Sequence, residues 1–324
     1  MERSSTFDQV ILDIDSDFEI NRISNFIEKY LLKYKKEGII VGLSGGIDSA
    51  VTASICVNTV GAENVYGLIL PEKDSNPLSE IYAKKEADRL GIQYEILDIT
   101  YVLSSFGTYE KRDCIIQSLF PNYNDSYKVK ISLPSDLLDK DSYNIFKLTI
   151  ENDRGDCSSA RLSKNDLQGI VAATDTKQRT RMMHLYYHAE KKNYIVCGTT
   201  NKTEYIQGFF VKYGDGGVDI EPLMHLYKSQ VYQLGKRLNI IEEIINRKPS
   251  PDTFSYEVSD EEFYFRMPFN KLDLLLYAWE HNTPINSIID AMHLTEIQIN
   301  RAFRDFSSKH RKTEYQRDIT PSLL

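Results

Sequence analysis

The residues best suited to chemistry in this sequence lie in the run V-G-L-S-G-G-I-D-S, which ends at Ser49. Gly45 and Gly46 have no side chains, so the backbone there can turn tightly and come close to a ligand. The hydroxyls of Ser44 and Ser49 can donate hydrogen bonds to phosphate oxygens. Asp48 is itself an anion, so it can hold a phosphate only through a bridging cation such as Mg²⁺. The run therefore predicts a phosphate site that also binds Mg²⁺.

The sequence on either side of this run agrees with an anion site. The letters G-I-I-V-G-L-S predict a buried strand, and a helix is predicted from about Asp48 to Val60. Unpaired N–H groups at a helix N-terminus attract anions. The run is not a Walker A loop, because that motif needs a lysine that is absent here. The alternative is a simple Gly-Gly turn in which Asp48 and Ser49 cap the helix. Strand, motif and helix together favour the phosphate site.

Strands and helices alternate around the run. A second buried strand, N-V-Y-G-L-I-L-P, and a third strand, Q-Y-E-I-L-D-I, follow it, and helices are predicted over 18–36 and from about Ser79 to Leu90. This alternation predicts an α/β fold with a doubly wound parallel sheet and helices on both faces. Ligands of such sheets bind beyond the carboxyl ends of the strands, which is where the phosphate run lies.

The chain is predicted to form one domain, 1–324, with an insertion. Residues 106–168 are rich in Asn, Asp, Ser and Lys, which indicates an irregular, partly strand-like segment outside the central sheet. The α/β pattern resumes with a helix over 176–191, a strand Y-I-V-C-G-T and a helix over 226–238. No internal repeat interrupts this pattern.

The last part of the chain, about 250–324, is predicted to be helical. One helix is predicted over 271–281, and further helical pattern continues to about Ser307. The remaining segment, S-S-K-H-R-K-T-E-Y-Q-R-D-I-T-P-S-L-L, is polar, so we predict a tail that is mobile when no ligand is bound.

The composition excludes several classes of protein. A formal net charge of −8 argues against a duplex nucleic-acid partner, which demands a basic face. No apolar run approaches the roughly 18 residues of a membrane span, and the N-terminus lacks the pattern of a secretory signal, so we expect a cytoplasmic protein. Its cysteines form no C-x-x-C pair, so we expect reduced thiols; they are Cys56, Cys114, Cys157 and Cys197.

Two longer motifs resemble a known family. S-G-G-x-D-S is similar to the pyrophosphate loop of the N-type ATP pyrophosphatases, and residues 198–223, G-T-T-N-K-T-E-Y-I-Q-G-F-F-V-K-Y-G-D-G-G-V-D-I-E-P-L, resemble the NAD synthase signature. Shorter matches are K-Q-R-T-R-M from Lys177, Y-K-S-Q from Tyr227 and K-H-R from Lys309. The resemblance implies a Rossmann-like fold of the adenine nucleotide alpha hydrolase type.

The same resemblance implies an activity. Family members form an acyl-adenylate from a carboxylate and Mg²⁺·ATP, and then displace AMP with ammonia. Here the acceptor would be deamido-NAD and the products NAD, AMP and pyrophosphate. The chain is too short before its first strand for a glutaminase domain, so we expect free ammonia or a separate subunit as the donor. The family also implies a homodimer with the acceptor site near the subunit interface, to which the helix over 18–36 would contribute.

Residue roles follow from the matched positions. Catalytic roles are implied for Asp48, Lys212, Asp215 and Lys228. Metal ligation is implied for Asp48 and Glu204. ATP contacts are implied for Gly42, Leu43, Ser44, Gly45, Gly46, Ser49, Leu70, Arg179, Thr199, Thr200, Lys228, Lys309 and His310. Acceptor contacts are implied for Asp175, Lys177, Lys212, Asp215 and Asp219. Each also has a structural alternative, such as a solvated helix-start carboxylate for Glu204 or a turn for the G-D-G-G letters.

The sequence departs from the family at the expected acceptor side. Thr174 and Asp175 stand where the family has Gly-Asn, and F-R-M-P-F-N-K-L-D replaces the usual ending after Glu261. Two alternatives to NAD synthase therefore remain: an amide ligase of the same mechanism acting on another carboxylate, and a catalytically silent nucleotide-binding protein. A tRNA-modifying enzyme is disfavoured by the acidic charge and the cysteine spacing.

Two other groupings are interpreted as packing. His184 and His188 stand four residues apart on a predicted helix, but the glutamate of a zinc H-E-x-x-H motif is missing, so we favour a packed helix face. The aromatic residues Phe263, Tyr264, Phe265 and Phe269 are expected in a core or interface rather than in a base-stacking platform.

Overall fold

The computed structural model describes residues 7–134, 136–140 and 144–323. Its strands are β1 Gly38–Gly42, β2 Val65–Ile69, β3 Gln93–Ile96, β4 Lys128–Ser132, β5 Lys147–Glu151, β6 Cys157–Arg161 and β7 Tyr194–Cys197. Its helices are α1 Ser16–Tyr34, α2 Ile47–Val60, α3 Pro77–Leu90, α4 Thr100–Phe106, α5 Thr108–Leu119, α6 Lys164–Lys192, α7 Lys202–Gln207, α8 Lys228–Arg237, α9 Glu242–Ile245, α10 Phe269–Glu280, α11 Ile285–Met292, α12 Glu296–Lys312 and α13 Glu314–Arg317.

The central sheet is parallel, as predicted. Its strand order is β3-β2-β1-β7, so the chain reverses its direction of winding between β1 and β7. In sheets of this kind the crevice beyond the carboxyl ends of the strands at such a reversal is the usual ligand site. The phosphate run begins at the end of β1, and Gly198 follows β7 directly. The topology therefore brings the two main sequence motifs to one crevice.

Alternating side chains of the strands enter two different cores. Ile39, Val41 and Cys197 pack on the face covered by α1, α2 and α8, whereas Ile40 and Val196 pack on the face covered by α4 and α6. Side chains of a strand alternate between its faces, so this pattern places helices on both sides of the sheet. The fold is therefore the doubly wound α/β fold expected from the sequence.

The insertion is more regular than predicted. A twelve-residue helix, α5, occupies its start, and β4, β5 and β6 form a separate antiparallel sheet with its own apolar core. The prediction of strands outside the central sheet is confirmed, whereas helix α5 was not predicted. Polar side chains dominate α5, but Tyr109, Arg112 and Ile116 bury one face of it. A few buried contacts on one face are enough to hold a helix whose remaining surface is polar.

Two further boundaries differ from the prediction. Helix α6 begins at Lys164 rather than at residue 176, because Ser163 and Asp166 form a reciprocal capping box at its N-terminus. The tail predicted to be mobile is largely helical, since α12 extends to Lys312 and α13 follows it. The apolar side of α12, including Phe306, packs into the core of the C-terminal helices. Tertiary packing thus orders a polar sequence that carries only a narrow apolar stripe.

The predicted packing of His188 and of the aromatic residues also agrees with the structure. The His188 ring is buried and stacks on Tyr66, with ring centroids 5.9 Å apart. Phe263, Tyr264 and Phe265 surround Phe209 at centroid distances of 4.9–5.9 Å. Within the described part of the chain, no helix is both long and apolar enough to cross a membrane.

Candidate active site

A cavity of about 550 Å³ opens at the carboxyl ends of β1, β2 and β7. Its walls come from the phosphate run, the segment after β7, helix α6, the start of α8 and the segment 247–253. Among the residues predicted to act on ligands, those that line the cavity are Gly42, Leu43, Ser44, Gly46, Asp48, Ser49, Leu70, Asp175, Thr199, Glu204, Asp215 and Lys228. The fold therefore gathers a large part of the predicted site around one space.

The phosphate run is held in a defined shape by its own hydroxyls. The Ser49 Oγ donates to the carbonyl oxygen of Gly46 at 3.0 Å and lies 3.1 Å from the Ser44 Oγ. The backbone N–H of Gly46 donates to the Ser44 Oγ at 3.3 Å. Gly46 is also the N-cap of α2, and no side chain caps that helix. The first N–H groups of α2 are thus available to an anion in the cavity.

Gly45 cannot be replaced without strain. Its φ is +70°, and a Cβ on it would lie 2.3 Å from the carbonyl oxygen of Ser79. We expect Gly45→Ala to weaken ATP binding and to lower the melting temperature, because the left-handed backbone costs an alanine about 1–2 kcal/mol before the clash is counted. Gly91→Ala is the matched control, since Gly91 has φ +67° but nothing within 4 Å of the added Cβ. Equal effects of the two changes on ATP affinity would contradict a special role for the turn.

Three charged groups meet at the base of the cavity. The Lys228 ammonium donates to Asp48 Oδ2 at 2.5 Å and to Glu204 Oε1 at 3.2 Å. The Asn201 amide donates to Asp48 Oδ1 at 2.9 Å, and a capping box with Asn201 fixes Glu204 in the first turn of α7. The carboxylates of Asp48 and Glu204, which are 156 residues apart in sequence, thus point at one cation. This convergence is the central feature of the site.

Burial and charge shift the pKa values in this cluster. Burial raises the pKa of Glu204 to about 8, although the Lys228 ammonium acts in the opposite direction. Burial alone would lower the pKa of Lys228, but the fields of Asp48 and Glu204 raise it above its ordinary value. Asp260, which lines the same cavity, has its pKa raised to about 7 by burial. The cluster holds more carboxylate than one lysine can compensate, so it favours an additional cation.

The donor set fits Mg²⁺ bound together with substrate phosphates. Mg²⁺ prefers oxygen ligands and is held in many enzymes by one or two carboxylates, with phosphates and waters completing its shell. Asp48 and Glu204 supply two carboxylates that already converge on a cation. Among the described residues, no group of three or more His, Cys, Asp or Glu side chains is arranged to hold a metal without substrate. The chain thus offers a shared site rather than a complete metal cage.

A second group of acidic residues, Asp175 and Asp215, also lines the cavity. Asp215 accepts a hydrogen bond from the N–H of Val211 at 2.9 Å, and burial raises its pKa to about 6. Asp175 on α6 also lines the cavity, and burial raises its pKa while Arg179 lowers it. These carboxylates lie on the side predicted to receive the acceptor and ammonia. Their roles stay predictions.

Lys177 does not reach the cavity. Its side chain is fully buried, and its ammonium donates to Glu72 Oε1, to Asp74 Oδ2 and to the carbonyl oxygen of Thr253, each at 2.8 Å. All three protons of the ammonium are therefore used inside the protein. In this structure Lys177 has no exposed atom to offer an acceptor, and it instead ties α6 to the loop after β2 and to the segment around residue 253.

The remaining predicted ligand residues lie outside the cavity lining: Gly45, Arg179, Thr200, Lys212, Asp219, Lys309 and His310. Lys309, predicted to be mobile and to cover phosphates, is buried, ion-paired with Asp305 at 2.7 Å, and bonded to the carbonyl oxygen of Tyr264. The His310 Nδ1 lies 2.9 Å from the carbonyl oxygen of Ile206. These contacts show that the prediction of a mobile tail is wrong for Lys309 and His310.

Three more residues outside the cavity lining make contacts within the protein instead: Arg179, Lys212 and Asp219. Lys212 donates to the carbonyl oxygen of Tyr315 at 2.6 Å, and Arg179 donates to the carbonyl oxygen of Lys212 at 3.3 Å. Asp219 accepts from the N–H of Val196 and from the Tyr186 hydroxyl, so it braces the end of β7. Their proposed ligand contacts would need a rearrangement of these bonds.

Sequence reasoning missed two residues that the fold brings to the site. The Arg247 guanidinium donates to the carbonyl oxygen of Gly45 at 3.3 Å and to the Ser79 Oγ at 2.9 Å, which fixes the turn of the phosphate run. The Glu221 carboxylate accepts from the N–H of Thr200 at 3.1 Å beneath the segment after β7. Neither residue carries a local signal, since Arg247 lies outside the matched motifs and Glu221 stands at a variable position of the long signature.

The fold and this site define a class of protein: a parallel α/β nucleotide-binding protein whose phosphate loop follows the central strand. Solved structures agree with the fold. The NH3-dependent NAD synthetase of Campylobacter jejuni, in complex with the nitrate ion, has a TM-score of 0.62 at 24% identity, with 96% of this chain and 100% of that chain covered. The NMN synthetase of Francisella tularensis has a TM-score of 0.66 at 24% identity, with 96% and 99% covered.

Sequence comparison narrows the class to a family. The family model described as NAD synthase matches residues 19–124 and 138–320. The NH(3)-dependent NAD(+) synthetase of Rhizobium meliloti is 41% identical over 304 residues, which are 94% of this chain and 91% of that protein. The enzyme of the same name from Thermotoga maritima is 38% identical over 262 residues, 81% and 87% of the two chains. The chain belongs to the NAD synthase family.

Proposed function

We propose that this protein is an ammonia-dependent NAD synthase. It joins ammonia to the carboxylate of deamido-NAD at the expense of ATP, and it forms NAD, AMP and pyrophosphate. The observation that carries this proposal is the convergence of Asp48 and Glu204 on the Lys228 ammonium, next to a phosphate loop at the end of β1. The relatives named above, which are 38–41% identical, support the same activity.

The reaction divides into two balanced steps. A carboxylate oxygen of the acceptor attacks the α-phosphorus of ATP, the bond to the bridging α–β oxygen breaks, and pyrophosphate leaves. Ammonia then attacks the acyl carbon, the bond to the AMP oxygen breaks, and the amide loses a proton to solvent. The first step develops negative charge on phosphate oxygens, so fixed cations near the loop lower its barrier.

The residues of the chain divide this work between them. The turn at Gly46 and the first N–H groups of α2 bind the β- and γ-phosphates, while Lys228 neutralises charge on them. Bound at Asp48 and Glu204, Mg²⁺ would supply charge stabilisation to the phosphates. Thr199 and Leu70 contact the nucleotide, and Asp215 orients ammonia towards the acyl carbon. We place the protein in the cytoplasm because ATP is supplied there.

One assay tests the proposed function directly. Purified protein is supplied with Mg²⁺·ATP, ammonium and deamido-NAD, and pyrophosphate and NAD are measured together. We expect pyrophosphate release that depends on the acceptor and an equal amount of NAD. A folded protein that binds ATP but releases no pyrophosphate with any acceptor would instead be a nucleotide-binding protein without activity.

The acceptor is tested in the same assay, because the chain departs from its family there. The Asp175 carboxylate stands in the cavity wall where the family has an amide, and Phe263 and Tyr264, which directly precede the divergent F-R-M-P-F-N-K-L-D run, line the same space. Nicotinic acid mononucleotide and other small carboxylates are therefore compared with deamido-NAD. If pyrophosphate were released with one of these other carboxylates but not with deamido-NAD, the protein would be an amide ligase of the same mechanism with a different substrate.

We further propose that the protein is a homodimer that associates through α4 and α6 rather than through α1, the helix expected from the sequence, because α1 packs Ile23, Ile27 and Leu31 into the core of its own chain. Helices α4 and α6 contact each other, and their outer faces expose Tyr101, Phe106, Met183 and Tyr187 at 59–81% of full accessibility. Exposed apolar patches of this kind mark interaction surfaces. Helix α6 also lines the cavity through Asp175 and Gln178, so this interface would lie near the acceptor.

Charge placed in this surface should break the dimer. We expect Tyr187→Glu to shift the mass measured by light scattering from dimer to monomer, because an unpaired carboxylate would be buried in the interface. Leu32→Glu is the matched control on α1, where the leucine is 80% exposed. Loss of the dimer in Leu32→Glu but not in Tyr187→Glu would place the interface on α1 instead.

A further inference from the structure

A second cavity, of about 500 Å³, lies behind the active site. Its lining includes Arg22, Lys202, Glu221, Met224 and His225. The Arg22 side chain is 57% exposed and that of His225 is 34% exposed, so the cavity reaches the protein surface. None of the steps described above uses this space.

Glu221 forms the wall between the two cavities. Its carboxylate lies against Gly198, where an added Cβ would be 2.4 Å from Glu221 Cδ. Gly198 itself lines the main cavity. A single residue without a side chain therefore separates the Glu221 carboxylate from the space in which the reaction takes place.

The hydrogen bonding of this carboxylate is incomplete. Glu221 Oε2 accepts from the N–H of Thr200, whereas Oε1 is inaccessible and has no hydrogen-bond partner among the described residues. A buried carboxylate oxygen without a donor is costly, so such an atom calls for a ligand that donates hydrogen bonds. Burial, together with the nearby Asp215 and Glu204, raises the pKa of Glu221 to about 8. A cation bound beside Glu221 would offset this penalty and favour the ionised carboxylate.

We propose that Glu221 binds the ammonium substrate on a path that enters through the second cavity and passes Gly198. This inference rests on the proposed ammonia-dependent reaction. Ammonium matches the site because it is a compact cation that carries only hydrogen-bond donors. The nearby Lys228 ammonium, held by Asp48 and Glu204, shows the same pairing of an ammonium with buried carboxylates. Asp215, across Gly198 in the main cavity, would receive the substrate next.

The decisive variant is Glu221→Gln. Glutamine keeps an oxygen that can accept from the N–H of Thr200, so a merely structural role is preserved. We expect KM for ammonium to rise about tenfold or more, as for the loss of a charged hydrogen-bond partner. The KM values for ATP and deamido-NAD, kcat at saturating ammonium and ATP–pyrophosphate exchange should stay near those of the unmodified protein. An unchanged KM for ammonium would overturn the site.

Glu280→Gln serves as the matched control. Glu280 lines the same cavity, but its carboxylate already accepts from Lys202 at 3.0 Å and from the Tyr227 hydroxyl. We expect the Glu280→Gln variant to have the same KM for ammonium as the unmodified protein. If Glu280→Gln raised that constant as much as Glu221→Gln, the effect would report the general charge of the cavity and the specific site would be overturned.

The path is tested separately from the site. Met224→Trp fills the second cavity, and Met224→Leu conserves its volume. We expect KM for ammonium to rise only in Met224→Trp; equal constants in both would overturn entry through this cavity.

Melting curves in ammonium chloride and in sodium chloride, without ATP or acceptor, give a readout that needs no turnover. Ammonium should stabilise the unmodified protein but not Glu221→Gln, even if the proposed synthase activity proved wrong.

Discussion

Asp48→Ala is expected to lower the rate of pyrophosphate release by about a thousandfold or more while leaving the protein folded. Removal of one group that stabilises transition-state charge commonly costs 10²–10³ in kcat, and Asp48 is proposed to hold the metal as well. Its carboxylate also contacts the Lys228 ammonium at 2.5 Å, so the change would release that lysine from its position. The measurement is the rate of pyrophosphate release with deamido-NAD and ammonium, together with the melting temperature.

A second variant at this position separates the effect of charge from that of side-chain size, and a variant elsewhere serves as the control. Asp48→Asn keeps the size of the side chain but removes the charge, and we expect nearly the same loss of rate. Asp17→Ala is the matched control, because Asp17 also lies in the first turn of a helix but is 65% exposed and remote from the cavity. Normal turnover by Asp48→Ala would contradict the metal assignment and with it the proposed role of Glu204.

Lys177→Met is expected to destabilise the protein by about 3–5 kcal/mol, which is the usual cost of removing one member of a buried ion pair. Glu72 and Asp74 would both lose the Lys177 ammonium, and only Asp74 would keep Arg112. For a chain of this size we expect the melting temperature to fall by about 10 °C. Lys85→Met is the control, since Lys85 pairs with Glu243 at 2.8 Å on the surface and should have little effect.

The loss in Lys177→Met should depend on pH. Burial alone would raise the pKa of Asp74, but Lys177 and Arg112 lower it below its ordinary value. A carboxylate with a lowered folded pKa stabilises the protein above its unfolded pKa and loses this contribution as the pH falls through the folded value. The difference between the two proteins should therefore be greatest near neutral pH and shrink in acid. If KM for the acceptor rose while stability stayed unchanged, Lys177 would have the ligand role that the sequence suggests.

The sequence was most informative where structure is local. The buried runs of β1 and β2 and the glycines that end α2 and α3, Gly61 and Gly91, mark the strand–helix units, because strand runs and helix ends are set by neighbouring residues. The long signature from Gly198 likewise identified Glu204 and Asp215 on the cavity wall. These positions follow from short-range patterns, so they could be read without the fold.

Predictions from the local sequence pattern were wrong where contacts with distant residues decide which side chains are buried. The start of α6 looked polar, yet its capping box and its packing on α5 extend the helix to Lys164. Likewise, the tail after Ser307 looked mobile, but Phe306 and Lys309 anchor it to the C-terminal core and to Asp305. In both cases, partners far along the chain supply the stability that the local sequence lacks.

The sequence by itself determined the fold class, the position of the phosphate loop and the family. Only the tertiary structure decided which charges of the matched motifs face the cavity: Lys228 does, whereas Lys177 lies in a buried network with Glu72, 105 residues away. It also placed Glu221 between two cavities. The physical reason is that side-chain periodicity is fixed within a few residues, whereas the partner of a buried charge is chosen by the packing of elements that are remote in sequence.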